Sequence, residues 1–184
     1  MKKIIFNSLR KNKINIDEDL FYYGWSVSVN YLLYVIMTLA VSLYFHCFYN
    51  IIVFLVLYIP IRRYIGGFHF SNNTLCIFIS TIVSVIPAIL SKYCVINIWV
   101  NIIFNIILIV ETVLIAPIDH PNKRLNDIQF KLYKKKALFA EISYLGIVVI
   151  LSEFFAFSTV PNLIFYVDII SICSLSISYI KRSL

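Results

Sequence analysis

The sequence predicts an all-α, polytopic membrane protein with six transmembrane helices, because of its composition, its long apolar runs and the placement of its charges. Of its 184 residues, 61% are hydrophobic and 14% are charged, whereas a soluble domain carries about 45–50% apolar and about 25% charged residues. So apolar a chain has more hydrophobic surface than one soluble core can bury. We expect a single integral membrane domain over residues 1–184.

The first expected element is an amphipathic N-terminal helix over residues 1–20. Its apolar and basic positions can occupy opposite helical faces, with Ile5, Leu9 and Ile16 on one and Lys3, Arg10, Lys11 and Lys13 on the other. This pattern predicts a helix lying in the membrane interface. The apolar run is too short and too interrupted for a signal peptide, and no small-residue cleavage site follows it.

Six apolar stretches then predict a bundle of spans over residues 24–179. A spanning helix needs about 17–25 residues. The expected spans cover roughly 24–45, 48–60, 74–90, 95–116, 137–157 and 162–179, and the second is short. The joints "HCFYN", "SKYC" and "STVPN" predict antiparallel hairpins between neighbouring spans.

The basic residues predict how the bundle is oriented. With six spans, 15 of the 16 lysines and arginines fall on one side, and only Lys92 falls on the other. By the positive-inside rule this side is cytoplasmic, so both termini are expected in the cytoplasm. The same rule accounts for the net charge of +7 without a nucleic-acid partner.

The stretch "RRYIGGFHFSNNTLC" carries the densest polar chemistry and falls on the predicted cytoplasmic side. A histidine that withdraws the thiol proton is the usual activator of a cysteine nucleophile, and His69 and Cys76 offer such a pair. On one straight helix they would be about 10.5 Å apart, so the backbone must turn between them. Gly66-Gly67 supplies permissive dihedral angles. With Asn73 as the expected N-cap, Cys76 lies in the first helical turn, where the helix dipole favours a thiolate.

Each of these residues also has an ordinary structural interpretation. A histidine in a loop and a cysteine at a helix end are common, and the glycines can serve as a plain turn. Arg62 and Arg63 can act only as anchors at the membrane surface.

The pattern of Arg62, Gly66-Gly67, His69 and Cys76 resembles the accessory gene regulator B (AgrB) family, membrane cysteine endopeptidases that process quorum-sensing propeptides. The segment "APIDHPNKRL", the size and the six predicted spans are also similar to that family. The resemblance implies a catalytic pair of His69 and Cys76, supported by Arg62 and Gly67. It also implies a bacterial plasma-membrane location and a homodimer, with no cofactor.

The resemblance further implies a substrate and a reaction. The substrate is an AgrD-like propeptide with an amphipathic leader, a signal segment and an acidic C-terminal tail. Cys76 would form an acyl-enzyme as the tail leaves, and an internal Cys or Ser of the signal segment would then close a thiolactone or lactone ring. An acidic tail would be attracted to a basic segment of this chain, namely Lys123, Arg124, Lys131, Lys134, Lys135 and Lys136. The alternative role of that segment is orientation and contact with anionic lipid.

Two further sets of polar residues remain open. Asp119 or Asn122 can orient His69 as a third catalytic member, or both can bond to the backbone of a turn between two prolines. A metal site from His69, His120 and Asp119 lacks the spacing of known zinc motifs, so no metal is expected.

The acids Glu111, Glu141, Glu153 and Asp168 lie within or near predicted spans, where ionisable groups usually face the bundle interior. They motivate the alternative function, a small transporter or exporter without peptidase activity whose conduction path contains Glu141 and Asp168. No inverted repeat supports that alternative. A non-enzymatic membrane assembly subunit is a third possibility.

Overall fold

A computed structural model describes residues 18–67, 72–118, 125–154 and 159–183 of the chain. Over these residues it contains six helices and no strand. The helices are α1 (Glu18–Tyr44), α2 (Phe48–Ile65), α3 (Asn73–Tyr93), α4 (Ile98–Leu114), α5 (Asp127–Phe154) and α6 (Val160–Ser183). The predicted all-α class is confirmed.

Four of the described helices are long and apolar enough to cross a membrane. The candidate spans are Gly24–Tyr44, Phe48–Ile65, Asn73–Tyr93 and Val160–Lys181. α4 is apolar but shorter, with 17 residues. A count of six spans therefore stays a prediction, as does the amphipathic N-terminal helix, most of which lies outside the described residues.

α2 is the central helix because it packs against neighbours on two faces. One face, which includes Phe54 and Ile61, joins a core cluster shared with α4, α5 and α6. The other face, with Ile51 and Leu55, joins a smaller cluster with Tyr34 of α1 and residues of α3.

The exterior of the bundle is apolar, as a lipid-facing surface would be. Leu32 is 59% exposed, Val56 65% and Phe139 75%. Lipid provides no hydrophobic drive for helix association, so packing and interhelical hydrogen bonds must hold the bundle together. Examples are the bonds between Tyr34 Oη and Ser84 Oγ (2.6 Å), from Asn50 Nδ2 to Ser91 Oγ (3.0 Å) and from Tyr144 Oη to the Leu57 carbonyl (2.7 Å).

Polar contacts also fix which helix ends lie together. Lys92 at the end of α3 donates to the His46 carbonyl between α1 and α2. Asn162, near the start of α6, donates to the Ser91 carbonyl (3.3 Å) and accepts from the Ile96 backbone N–H (3.0 Å). We call this side of the bundle the Lys92 end.

The opposite side carries the other described basic residues, and we call it the basic end. It contains Arg62, Arg63, Lys131, Lys134, Lys135, Lys136 and Lys181. Tyr64 of α2 and Tyr133 of α5 meet there with ring centroids 5.7 Å apart. The separation of charge expected from the sequence is therefore present among the described residues.

α2 and α5 are among the helices that extend further than the apolar runs predicted. α2 continues through Pro60 to Ile65, so Arg62 and Arg63 lie on its last turn rather than in a loop. Apolar helices in membranes tolerate an internal proline better than soluble ones do.

α5 begins at Asp127, ahead of the apolar stretch from 137, so the lysines at 131 and 134–136 lie on a helix. Asn126 and Gln129 start it with a reciprocal capping box, in which Gln129 N donates to Asn126 Oδ1 (2.8 Å) and Asn126 N donates to Gln129 Oε1 (3.3 Å). Hydropathy alone does not detect such a polar first turn.

Candidate functional site

The end of α2 forms a tight turn at two glycines. Gly66 has a φ of 79° and Gly67 a φ of 134°, both in the region that residues with a side chain rarely adopt. Arg62, one turn earlier, donates from Nη1 to the Gly66 carbonyl at 2.9 Å and also to the Ser174 hydroxyl of α6. Arg62 therefore connects the glycine turn to α6.

The two glycines also permit close approach of other groups. A Cβ atom at Gly67 would lie 1.7 Å from Arg62 Nη1, and one at Gly66 would lie 2.4 Å from the Ile118 carbonyl oxygen. The Ile118 N–H in turn donates to the Ile65 carbonyl at 3.0 Å. The glycine turn is thus in contact with the segment after α4, which is the second stretch that sequence analysis singled out.

Cys76 lies in the first turn of α3, as expected, but the cap differs by one residue. Asn72, not Asn73, is the N-cap, and its side-chain oxygen accepts from Thr74 N at 3.0 Å and Leu75 N at 3.4 Å. Asn73 is the first helical residue. The Cys76 N–H donates to the Asn72 carbonyl at 3.0 Å, and its side chain is half-buried. The helix that carries Cys76 therefore begins after position 69.

Tyr58 is a neighbour of Cys76 that sequence analysis missed. Its hydroxyl lies within electrostatic range of both the Arg62 guanidinium and the Cys76 thiol. Its ring stacks on Phe54 at a centroid distance of 5.3 Å. The spacing of four residues between Tyr58 and Arg62 was a usable signal, since such residues share a helical face. Ser174 gave no signal, because only the packing of α6 on α2 brings it to Arg62.

The lysines at the start of α5 differ in their contacts. Lys134 donates to the Val113 carbonyl at 2.6 Å, where it caps the end of α4. The Lys136 ammonium lies 5.5 Å from the centroid of the Tyr64 ring. Lys135 is exposed on the bundle surface. Of these three, Lys135 is therefore the one best placed to bind an external anion.

Several predicted site residues lie outside the described residues. They are His69, Asp119, His120, Lys123 and Arg124. The structure thus brings together Arg62, Gly66, Gly67 and the segment ending at Ile118, and it leaves the pairing of His69 with Cys76 as a prediction. Within the described part of the chain, no group of three or more His, Cys, Asp or Glu residues is arranged to hold a metal ion.

Comparison with known proteins gives one match, which covers nearly the whole chain. The model of the family described as accessory gene regulator B matches residues 2–180. No match was found among the curated proteins or among the solved structures.

Gly67→Ala tests the close packing at the glycine turn. The added methyl group collides with Arg62 and needs a strained φ, so we expect a loss of about 1–3 kcal/mol in the free energy of unfolding. Gly146→Ala is the matched control, because a Cβ there meets nothing within 4 Å and alanine favours a helix by about 0.5–1 kcal/mol. Thermal unfolding in detergent measures both, and an equal response of the two variants would contradict the packing argument.

Proposed function

The chain belongs to the accessory gene regulator B family, and members of this family are associated with processing of AgrD-type propeptides. We propose that the chain is a membrane cysteine endopeptidase. It removes the C-terminal tail of its propeptide and supports ring closure of the signal segment. The observation that carries this proposal is the position of Cys76 in the first turn of α3, at the end of the bundle that also holds the glycine turn and the segment up to Ile118.

The proposed chemistry begins with proton transfer from the Cys76 thiol to the imidazole of His69. The thiolate sulfur attacks the carbonyl carbon of the peptide bond between signal segment and tail, and the C–N bond breaks. The imidazolium returns the proton to the departing amine of the tail. The signal segment is then held as a thioester on Cys76.

Ring closure releases the signal segment from the enzyme. A thiol or hydroxyl inside that segment loses its proton to His69 and attacks the thioester carbonyl, and the bond to Cys76 sulfur breaks. The product is a thiolactone or lactone, and Cys76 regains its proton. Thioester exchange changes bond energy little, so exclusion of water decides whether the ring or the hydrolysed acid forms. A site at a membrane surface among apolar helices suits that requirement.

Arg62 and the glycines support this chemistry by position. The Arg62 guanidinium binds the Gly66 carbonyl and the Ser174 hydroxyl, so it holds the start of the connection that contains His69. Four residues, 68–71, connect Gly67 to the Asn72 cap of the helix with Cys76. Asp119 follows Ile118, which contacts Gly66, so it is a candidate to orient His69. Backbone N–H groups at the start of α3 are candidates to stabilise the oxyanion.

The basic end is proposed to bind the acidic tail of the substrate. Lys135 contributes as an exposed cation, and Lys123 and Arg124 belong to the same proposed surface. Lys134 and Lys136 already contact the Val113 carbonyl and the Tyr64 ring, so they add positive potential while they fix the helix ends. The homodimer stays a prediction.

Cys76→Ala and His69→Ala test the catalytic assignment. Each removes a reacting group, so we expect propeptide cleavage to fall by at least about 10³-fold. The assay is mass spectrometry of propeptide incubated with the full chain in proteoliposomes, with a thioester on Cys76 sought in the intact protein. The exposed cysteines provide controls, since Cys94→Ala and Cys173→Ala should cleave normally. Cleavage by Cys76→Ala would refute the assignment and favour an exporter acting beside another peptidase.

Lys135→Ala tests tail binding without removing a packing contact. The loss of one exposed charge should slow cleavage at low substrate concentration by about two- to fivefold at low ionic strength. The difference from the unmodified protein should shrink as salt rises, because salt screens exposed charges. Lys92→Ala, at the other end of the bundle, is the control. A Lys135→Ala defect that is independent of salt would exclude an electrostatic role.

The orientation of the bundle is tested by thiol labelling of whole cells. We place the basic end in the cytoplasm, so exposed Cys94, at the Lys92 end, should react with a membrane-impermeant maleimide. A cysteine introduced by Lys135→Cys should react only after the cells are permeabilised. Mapping of labelled peptides separates the two sites, and Cys94→Ser controls for background. Labelling of position 135 in intact cells would reverse the proposed topology.

A further inference from the structure

The interior of the bundle contains a polar face that the proposed peptidase does not use. On α4, the buried residues Asn101, Asn105, Leu108 and Thr112 form one face, which meets α5 and α6. Three of these four are polar, although the rest of the helix is strongly apolar apart from Glu111. In a membrane interior such groups are expensive and usually serve a binding or conducting role.

Besides Glu141 of α5, which bonds to Thr112, the ionisable residue that meets this face is Asp168 of α6. It is fully buried, with 0% of its surface exposed. Asn105 Nδ2 donates to Asp168 Oδ2 at 3.2 Å, and the other carboxylate oxygen, Oδ1, has no hydrogen-bond partner. Among the described residues no lysine, arginine or histidine pairs with this carboxylate. A carboxyl group without a cationic partner therefore lies about 12 Å into α6 from its first residue.

Two neutral oxygens beside Asp168 also lack partners. The Asn105 side chain uses its nitrogen on Asp168, which leaves its Oδ1 nearby, buried and unbonded. Ser171 lies one turn further along α6 on the same face as Asp168, and its buried Oγ is unbonded as well. Buried polar atoms in native proteins are nearly always bonded, so these three exceptions on two helices that pack together need an explanation.

The chemistry of these three oxygens indicates the class of ligand. A carboxylate, an amide oxygen and a hydroxyl form an all-oxygen set, which hard cations prefer. When Asp168 is ionised the set has a single negative charge, which a monovalent ion would neutralise. Glu141, a second buried carboxylate within electrostatic range, accepts from Thr112 through Oε1 at 2.7 Å, and its Oε2 also has no hydrogen-bond partner. We propose that Asp168, Asn105 and Ser171 form a binding site for one alkali cation, Na⁺ or K⁺, between α4 and α6.

The proposed cation would hold α4 and α6 together as well as neutralise the carboxylate of Asp168. It accepts electron density from oxygens on two helices, so it joins α4 to α6 where the hydrophobic effect provides no attraction. It also removes the cost of a lone charge in an apolar interior. This site is independent of the proposed peptidase activity, since none of its three residues belongs to the catalytic end.

The test uses the purified full chain in detergent and compares NaCl, KCl and choline chloride at equal ionic strength. A cation that binds only the folded state raises stability with its concentration. We expect NaCl or KCl to raise the melting temperature by at least about 2 °C over choline chloride. Radioactive ²²Na⁺ or ⁸⁶Rb⁺ (as a K⁺ substitute) measures stoichiometry directly, with one ion expected per chain.

Two variants distinguish the loss of a cation ligand from a general destabilisation of the fold. Asp168→Asn should abolish the response to the alkali cation, while Asp127→Asn, an exposed acid at the start of α5, should retain it. Ser171→Ala removes only a hydroxyl, so it should fold and bind the cation about tenfold more weakly. If Asp168→Asn does not fold, cation binding by Ser171→Ala tests the proposal instead.

Three results would overturn the proposal. The first is a melting temperature that is equal in all three salts. The second is unchanged cation binding in Ser171→Ala or in folded Asp168→Asn. The third is stabilisation by acidic pH alone with no effect of NaCl or KCl, which would mean that a proton, rather than a metal cation, neutralises Asp168.

Discussion

Arg62 closes the end of α2 by donating to the Gly66 carbonyl within its own chain segment and to the Ser174 hydroxyl across the bundle. This arrangement needs Gly67, because a side chain there would occupy the space of the guanidinium. It also positions Gly66 against Ile118, whose N–H binds the Ile65 carbonyl. Three separate parts of the sequence therefore converge on one helix end, and the connection toward Cys76 starts from that fixed point.

The fold could be predicted in outline because apolar length and charge placement are both visible along the chain. The helical class followed from those two patterns. The helix boundaries could not be predicted from the same two patterns. The second span was expected to end near Pro60, yet α2 continues to Ile65, since an apolar environment favours keeping the remaining backbone hydrogen bonds. The start of α5 was missed because its capping box, Asn126 and Gln129, lies ahead of a charged rather than an apolar turn.

The candidate site could be predicted by residue type but not by contact. Two neighbouring asparagines are both good N-caps, and the choice of Asn72 over Asn73 depends on where the chain enters α3. The glycines were assigned to a turn, which their positive φ values confirm. Their second task, leaving room for Arg62 and Ile118, depends on tertiary packing. The same is true of Ser174, which is one serine among several on α6.

α6 carries both of the polar features that distinguish this bundle. Ser171, a proposed cation ligand, and Ser174, the partner of Arg62, are three residues apart and so lie about one helical turn apart on neighbouring parts of the same face. A cation held by Asp168 and Asn105 would restrict rotation and sliding of α6 against α4. The same restriction would fix Ser174 relative to α2, because a helix moves as a nearly rigid body over one turn. The buried polar centre and the glycine turn are therefore mechanically joined through α6, although they lie at different depths of the bundle.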